Sequence, residues 1–258
     1  MYIGWIALVA LGITGSDQAE AQVLVDKLTT CQSLSDQACL VAAARLTLLG
    51  DEALPLLEKR FWEFPREAQL LALGVIDGVD GGRATDLIAA IVKDQRPDPA
   101  VRALALDDLS SRRYRGLIAL LTRAAKDKAP IVRVAAARGL SNHLYARDPK
   151  VLATLIKVAS DERASVRIEA LFGLGFSAHP DAGRPLTVAL ADPEPDVRRA
   201  AAEGLGLVKH RAAVRRLVPL LDDKDQRLVH AVVRALRFQT GEDFGPDPRR
   251  WQEWLQKR

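Results

Sequence analysis

This sequence predicts an all-α fold, a right-handed α-α superhelix of about six helical pairs, and three observations predict it. The first is a repeat. Val-Arg pairs recur at Val101-Arg102, Val132-Arg133, Val166-Arg167 and Val197-Arg198, with successive arginines 31, 34 and 31 residues apart. A further 31 residues lead to Leu228-Val229, where the arginine is lost. A period of this size marks one supersecondary unit that cannot bury its apolar face alone and stacks on copies of itself. The second is the pattern inside the unit. Four residues after each Val stand Ala105, Ala136, Ala170 and Ala201, with Val232 in the last copy, and eight residues after it stand Leu109, Leu140, Leu174, Leu205 and Leu236. Offsets of zero, four and eight share one helical face, so these columns are the buried stripe of one helix per unit. The third is composition: the chain is 48% hydrophobic but only 5% aromatic. Alanine and leucine must carry the packing, and both favour helix over sheet.

From the N-terminus, Tyr2 to Ile13 form an apolar run too short to span a bilayer. It reads as a signal peptide, with Ala19-Glu20-Ala21 as a small-x-small cleavage site that leaves Gln22 first. No Lys or Arg precedes the run, and an uncleaved anchor or a buried first helix are the alternatives. The domain reading is therefore a leader over 1–21, a solenoid over 22–240 and a C-terminal capping segment over 241–258. The chain carries a net charge of +4, and such a leader would remove Asp17 and Glu20 but no basic residue, leaving +6. These charges are dispersed rather than clustered, so no nucleic-acid partner is expected.

Cys31 and Cys39 are the two cysteines, and both fall in the first helical pair after the leader. In an oxidising compartment they would form a disulfide, which a helix-turn-helix can accommodate. The alternative is a pair of buried thiols; a metal site would need further ligands nearby.

Helical alternation continues over residues 43–49, 53–61 and 65–76. The partner helices of the repeats follow over 86–92, 117–121, 152–156, 186–190 and 214–221. Between them, Asp98-Pro99, Asp148-Pro149, Asp192-Pro193 and Asp247-Pro248 place a capping Asp before a proline suited to the first helical turn. Gly139, Gly173 and Gly204 recur at offset seven. A helical glycine costs about 1 kcal/mol against alanine, so its recurrence points to close approach of neighbouring helices.

With these residues in view, the units resemble HEAT repeats. The form Asp192, Val197-Arg198, Ala201, Leu205 is similar to the short HEAT-like repeats of phycobilin lyase subunits, and the resemblance covers roughly residues 35 to 240. The ending, Thr240 to Gly245 with Asp247, Trp251 and Trp254, resembles the closing segment of bacterial HEAT-repeat proteins and reads as a cap. In resembling repeats the recurring arginine bonds an acidic residue of a nearby turn. That implies a structural role for Arg102, Arg133, Arg167 and Arg198 toward Asp98, Asp127, Asp161 or Asp192.

Catalytic chemistry has little to stand on. His143, His179, His210 and His230 fall in different units and no His-Glu pair occurs, which argues against HEAT-like di-iron hydroxylases. No nucleophile elbow or phosphate loop is present, and Gly81-Gly82 reads as a turn. The reading is a protein-binding scaffold, not an enzyme, with no cofactor. It is periplasmic or secreted and has no transmembrane span once the leader is gone. The alternative is a cytoplasmic HEAT-like enzyme, either chromophore lyase-like or DNA glycosylase-like.

Offset six should face away from the buried stripe, and it reads Asp107, Arg138, Phe172, Glu203 and Arg234. Such a mixed row suits a protein segment better than a uniformly charged polymer. Offset thirteen reads Tyr114, Tyr145, His179 and His210. These rings either staple each turn to the next helix or, for Tyr145 and His179, join Phe172 and Arg138 at the centre of a partner site.

Overall fold

The computed structural model describes residues 17–142 and 148–257. The apolar run and two of the singled-out residues, His143 and Tyr145, lie outside them. The described residues form fifteen α-helices joined by turns and short 3-10 segments, with no strand. They divide into two compact units meeting at Arg112 and Arg113.

The first unit holds α1 (Asp17–Leu28), α2 (Gln37–Leu49), α3 (Leu54–Arg60), α4 (Arg66–Asp77), α5 (Gly82–Lys93) and α6 (Pro99–Ser111). Each odd helix packs on the even helix that follows it or on the next pair, and α2, α4 and α6 stack as a layer. Starts are chemically marked: the Asp36 carboxylate accepts from the backbone of Ala38 and Cys39, and Asp98 accepts from Ala100. Cys31 and Cys39 are joined by a disulfide with Cα atoms 6.0 Å apart, and both are fully buried. It closes the turn between α1 and α2. The helix α1 runs through the expected leader cleavage site: Ala21 is buried and Glu20 pairs with Arg45. Cleavage after Ala21 would shorten α1 to its last two turns.

In the second unit are α7 (Leu117–Ala124), α8 (Pro130–Leu140), α9 (Pro149–Val158), α10 (Ala164–Ser177), α11 (Gly183–Ala189), α12 (Pro195–Leu205), α13 (Val214–Leu217), α14 (Gln226–Thr240) and α15 (Pro248–Gln256). The even helices α8, α10, α12 and α14 stack in one layer and the shorter odd helices form the other. The layer positions are set by the repeat: Val132, Ala136, Leu140 and their counterparts Val166, Ala170, Leu174 and Val197, Ala201, Leu205 are buried as expected. Where α10 meets α12, a Cβ added to Gly175 would stand 2.8 Å from the Gly204 Cα, so the backbones touch. Two members of the expected column also mark close approach: a Cβ added to Gly173 would fall 2.3 Å from Ser141 Oγ, and one added to Gly204 2.5 Å from Leu186 Cδ2.

The described chain thus has seven pairs and a closing helix, one pair more than the sequence pattern suggested. The additional partner is α1, whose first turn overlaps residues assigned to the leader. One expected cap also differs. Asp98, Asp148 and Asp247 cap their helices, but α12 starts at Pro195 behind Glu194, and Asp192 lies in the preceding turn. Its carboxylate accepts instead from the Glu194 backbone at 3.0 Å and from Arg167 at 2.7 Å.

That second bond belongs to a ladder. Arg133 donates to both carboxylate oxygens of Asp161 (2.8 and 3.0 Å), Arg167 to Asp192, and Arg198 to Asp223 at 3.4 Å. Each of the three also donates to a carbonyl in its own turn, that of Asp127, Asp161 or Asp192. Each arginine therefore ties its repeat to the next one. In the first unit Arg102 donates to the Pro97 carbonyl at 2.8 Å.

Candidate protein-binding site

The buried stripe of α10, α12 and α14 faces the odd helices, so offset six turns outward on the opposite side. There Phe172, Glu203 and Arg234, three of the residues singled out in the sequence, line one open cavity of ≈ 340 Å³ with Phe176, Ala202 and Leu207. Glu203 accepts from Arg199 at 3.2 Å and faces Arg234 at 4.0 Å, leaving Arg234 68% exposed at its side chain. On α8, Arg138 pairs with Glu169 of α10 at 3.1 Å, one helix away from this cavity.

The strongest feature of this face was not legible as such. Phe176, Leu207 and Phe238 stand one turn beyond offset six, at offset ten of three successive repeats, and all three are exposed. Phe176 and Leu207 line the cavity, and Phe238 stands at the same offset on α14. Lys209 lies over the Phe238 ring, 4.8 Å from its centre, and also donates to the Phe238 carbonyl. The period places these three residues in one column, but only the packed helices show that the column is exposed.

A profile of HEAT repeats matches residues 84–175 and 183–246, more than half of the chain. The chain belongs to the HEAT-repeat family. Its paired layers and arginine ladder are what those two stretches fold into. No curated protein matches this HEAT-repeat chain. Among solved structures it is similar to the Escherichia coli protein YibA, with 16% identity over 88% of this chain and 99% of that one at a TM-score of 0.54. It is also similar to an engineered protein, with 19% identity over 84% of this chain and 67% of that one at a TM-score of 0.52. At such identities the likeness speaks for the fold alone.

Other singled-out residues of the HEAT-repeat chain stand elsewhere. His179 does not join Phe172: it lines a separate cavity of ≈ 240 Å³ against Leu152, Ala153 and Ile156 of α9. Its Nδ1 accepts from the Asp181 backbone at 3.2 Å, which caps a 3-10 turn and fits the staple reading. His210 likewise fills the space over Gly183, where an added Cβ would fall 2.4 Å from the ring. Asp107 lies half-buried on α6 in the first unit, and Tyr145 lies outside the described residues. Among the described residues no group of three or more His, Cys, Asp or Glu is placed to hold a metal ion. No described helix is long and apolar enough to cross a membrane.

Proposed function

We propose that this HEAT-repeat chain is a non-catalytic scaffold, exported to the periplasm or secreted, that holds a protein partner on the face built by α10, α12 and α14. The observation that carries the reading is the exposed row Phe176, Leu207 and Phe238 beside the Phe172 cavity. Exposed apolar side chains grouped on one surface and rimmed by charge are the usual mark of a protein contact. Phe172 and Arg234 are of the residue types that anchor such contacts. Export is supported by the apolar run and small-x-small site of the sequence, and the Cys31–Cys39 disulfide is compatible with an oxidising compartment.

The test is a capture experiment from the native envelope fraction, comparing the wild type with a Phe176→Asp, Phe238→Asp double variant. Both side chains are exposed, so melting should not change while the captured partner is lost. A partner retained in full by the variant overturns the assignment of this face. Export is tested separately by the N-terminus of the native protein, with Gln22 first as the expected result and an intact Met1 as the contrary one.

A further inference from the structure

Four helices of the outer layer of the second unit, α7, α9, α11 and α13, carry charge of one sign only, although Asp148 and Asp181 stand in the turns beside them. Arg123 on α7, Lys150 and Lys157 on α9, Arg184 on α11, and Arg215 and Arg216 on α13 are six cations, and these four helices contain no Asp or Glu. All six side chains are exposed, and among the described residues none of them makes an ion pair. The inner layer differs: there Glu169, Asp196 and Glu203 take Arg138, Arg199 and Arg234 into pairs. Lys150 and Lys157 stand seven residues apart, two turns of α9, so both point away from the buried Val151 and Leu155.

Two further features accompany these charges. Val188 is 69% exposed on α11, four residues from Arg184 and on the same side of the helix. Aromatic rings stand at either end of the layer. Tyr114 lines an open cavity of ≈ 750 Å³ with Arg115, Lys150 and one acid, Asp148, and Trp254 lines another of ≈ 490 Å³ with Arg211 and Arg215.

We propose that this outer face docks on an anionic phospholipid surface. Basic residues near such a surface are each drawn to it by its negative potential. Tyr and Trp are the side chains that settle at headgroup depth, with the ring in the apolar zone and the polar edge outside. The charges spread over four helices as an area. A single-stranded nucleic acid would ask for a groove that follows one backbone, with aromatic rings stacked along it. A protein partner would ask for a lysine-poor centre, which this face lacks. The inference is independent of the partner site proposed above, because the outer and inner layers are opposite sides of one unit. A scaffold so oriented would present its apolar row away from the bilayer.

The experiment is co-sedimentation of the full chain with vesicles of phosphatidylglycerol and phosphatidylcholine, against vesicles of phosphatidylcholine alone. Binding to the anionic vesicles only, weakened by salt, is the expected result. Lys157→Gln and Arg215→Gln should each weaken it about fivefold, and the combination Lys150→Gln, Lys157→Gln, Arg184→Gln, Arg215→Gln several hundredfold. Since all four side chains are exposed, the melting curve should not move. The Phe176→Asp, Phe238→Asp variant should bind these vesicles as the wild type does. Equal binding to neutral vesicles, no binding to either, full binding by the fourfold variant, or preference for a DNA oligonucleotide over the anionic vesicles would overturn the proposal.

Discussion

At the scale of single residues, Asp108 is the position most at odds with its repeat. It stands seven residues after Val101, where Gly139, Gly173 and Gly204 stand in later copies. A carboxyl therefore occupies a place that elsewhere is kept empty for helix contact. Burial pushes its pKa up to about 7, with the Asp77 and Asp107 carboxylates adding to the rise and Arg112 opposing it. Arg112 is engaged elsewhere, donating to the Asp77 carboxylate at 3.0 Å and to the Val79 carbonyl at 3.1 Å. A carboxyl whose folded pKa is raised stabilises the fold at low pH, and that contribution is lost as pH rises from about 4 to about 7. Asp108→Asn should therefore raise stability at pH 8, and the gain should shrink as pH falls through this window. We expect a gain of about 1 to 2 kcal/mol, since water reaches part of the side chain and screens the full shift. Urea titrations of both proteins at pH 5 and pH 8 check it; a gain independent of pH would point to packing instead of charge.

At the scale of elements, the arginine ladder decides how one repeat is joined to the next. Arg133 and Asp161 are each nearly out of water, with side-chain exposures of 9% and 13%. Burial alone would raise the Asp161 pKa, but hydrogen bonds from Arg133 and from the Arg163 backbone more than offset it and hold the carboxyl below its ordinary value. Such a group adds stability above its unfolded pKa, and that stability is lost as pH falls through the lower folded value. Arg133→Ala leaves the nearly buried Asp161 carboxylate with only its Arg163 backbone bond and the Asp127 carbonyl without its Arg133 donor, which should cost about 2 to 4 kcal/mol. The loss should be measurable at pH 7 by denaturant unfolding and should diminish below pH 4. Arg198, whose bond to Asp223 is 3.4 Å and whose side chains are more exposed, should tolerate alanine better. An equal cost at both positions would show that the ladder does not act through its carboxylates.

At the scale of the whole molecule, the first and the last of the described helical pairs are each secured by a different device. The first pair is held by the Cys31–Cys39 bridge. Closing so short a loop stabilises by about 2 to 3 kcal/mol on the chain-entropy model, so reduction should lower the melting temperature, and mass spectrometry without reductant should find no free thiol. The last pair is closed by α15, which packs on the 3-10 segment Val218–Asp222. Trp251 is fully buried there, its Nε1 donates to the Gly245 carbonyl at 2.9 Å, and its ring meets Phe244 edge-on at 4.8 Å. Trp251→Ala should cost about 3 to 5 kcal/mol, seen as a lower melting midpoint; unchanged melting would mean that the segment does not act as a cap. By itself the sequence determined the helical repeats and their buried columns, because both follow from a period that any copy can reveal. The candidate faces were decided only by tertiary structure. Offset arithmetic placed Phe172, Glu203 and Arg234 together correctly, since their helices stack in register. It could not place His179, which lies past the end of α10 where the chain leaves helical geometry. Nor could it show that the Phe176, Leu207 and Phe238 column is exposed, or that the acid-free helices α7, α9, α11 and α13 lie in one layer. Exposure depends on which neighbouring helix covers a position, and that is a property of the packed layers rather than of any one repeat.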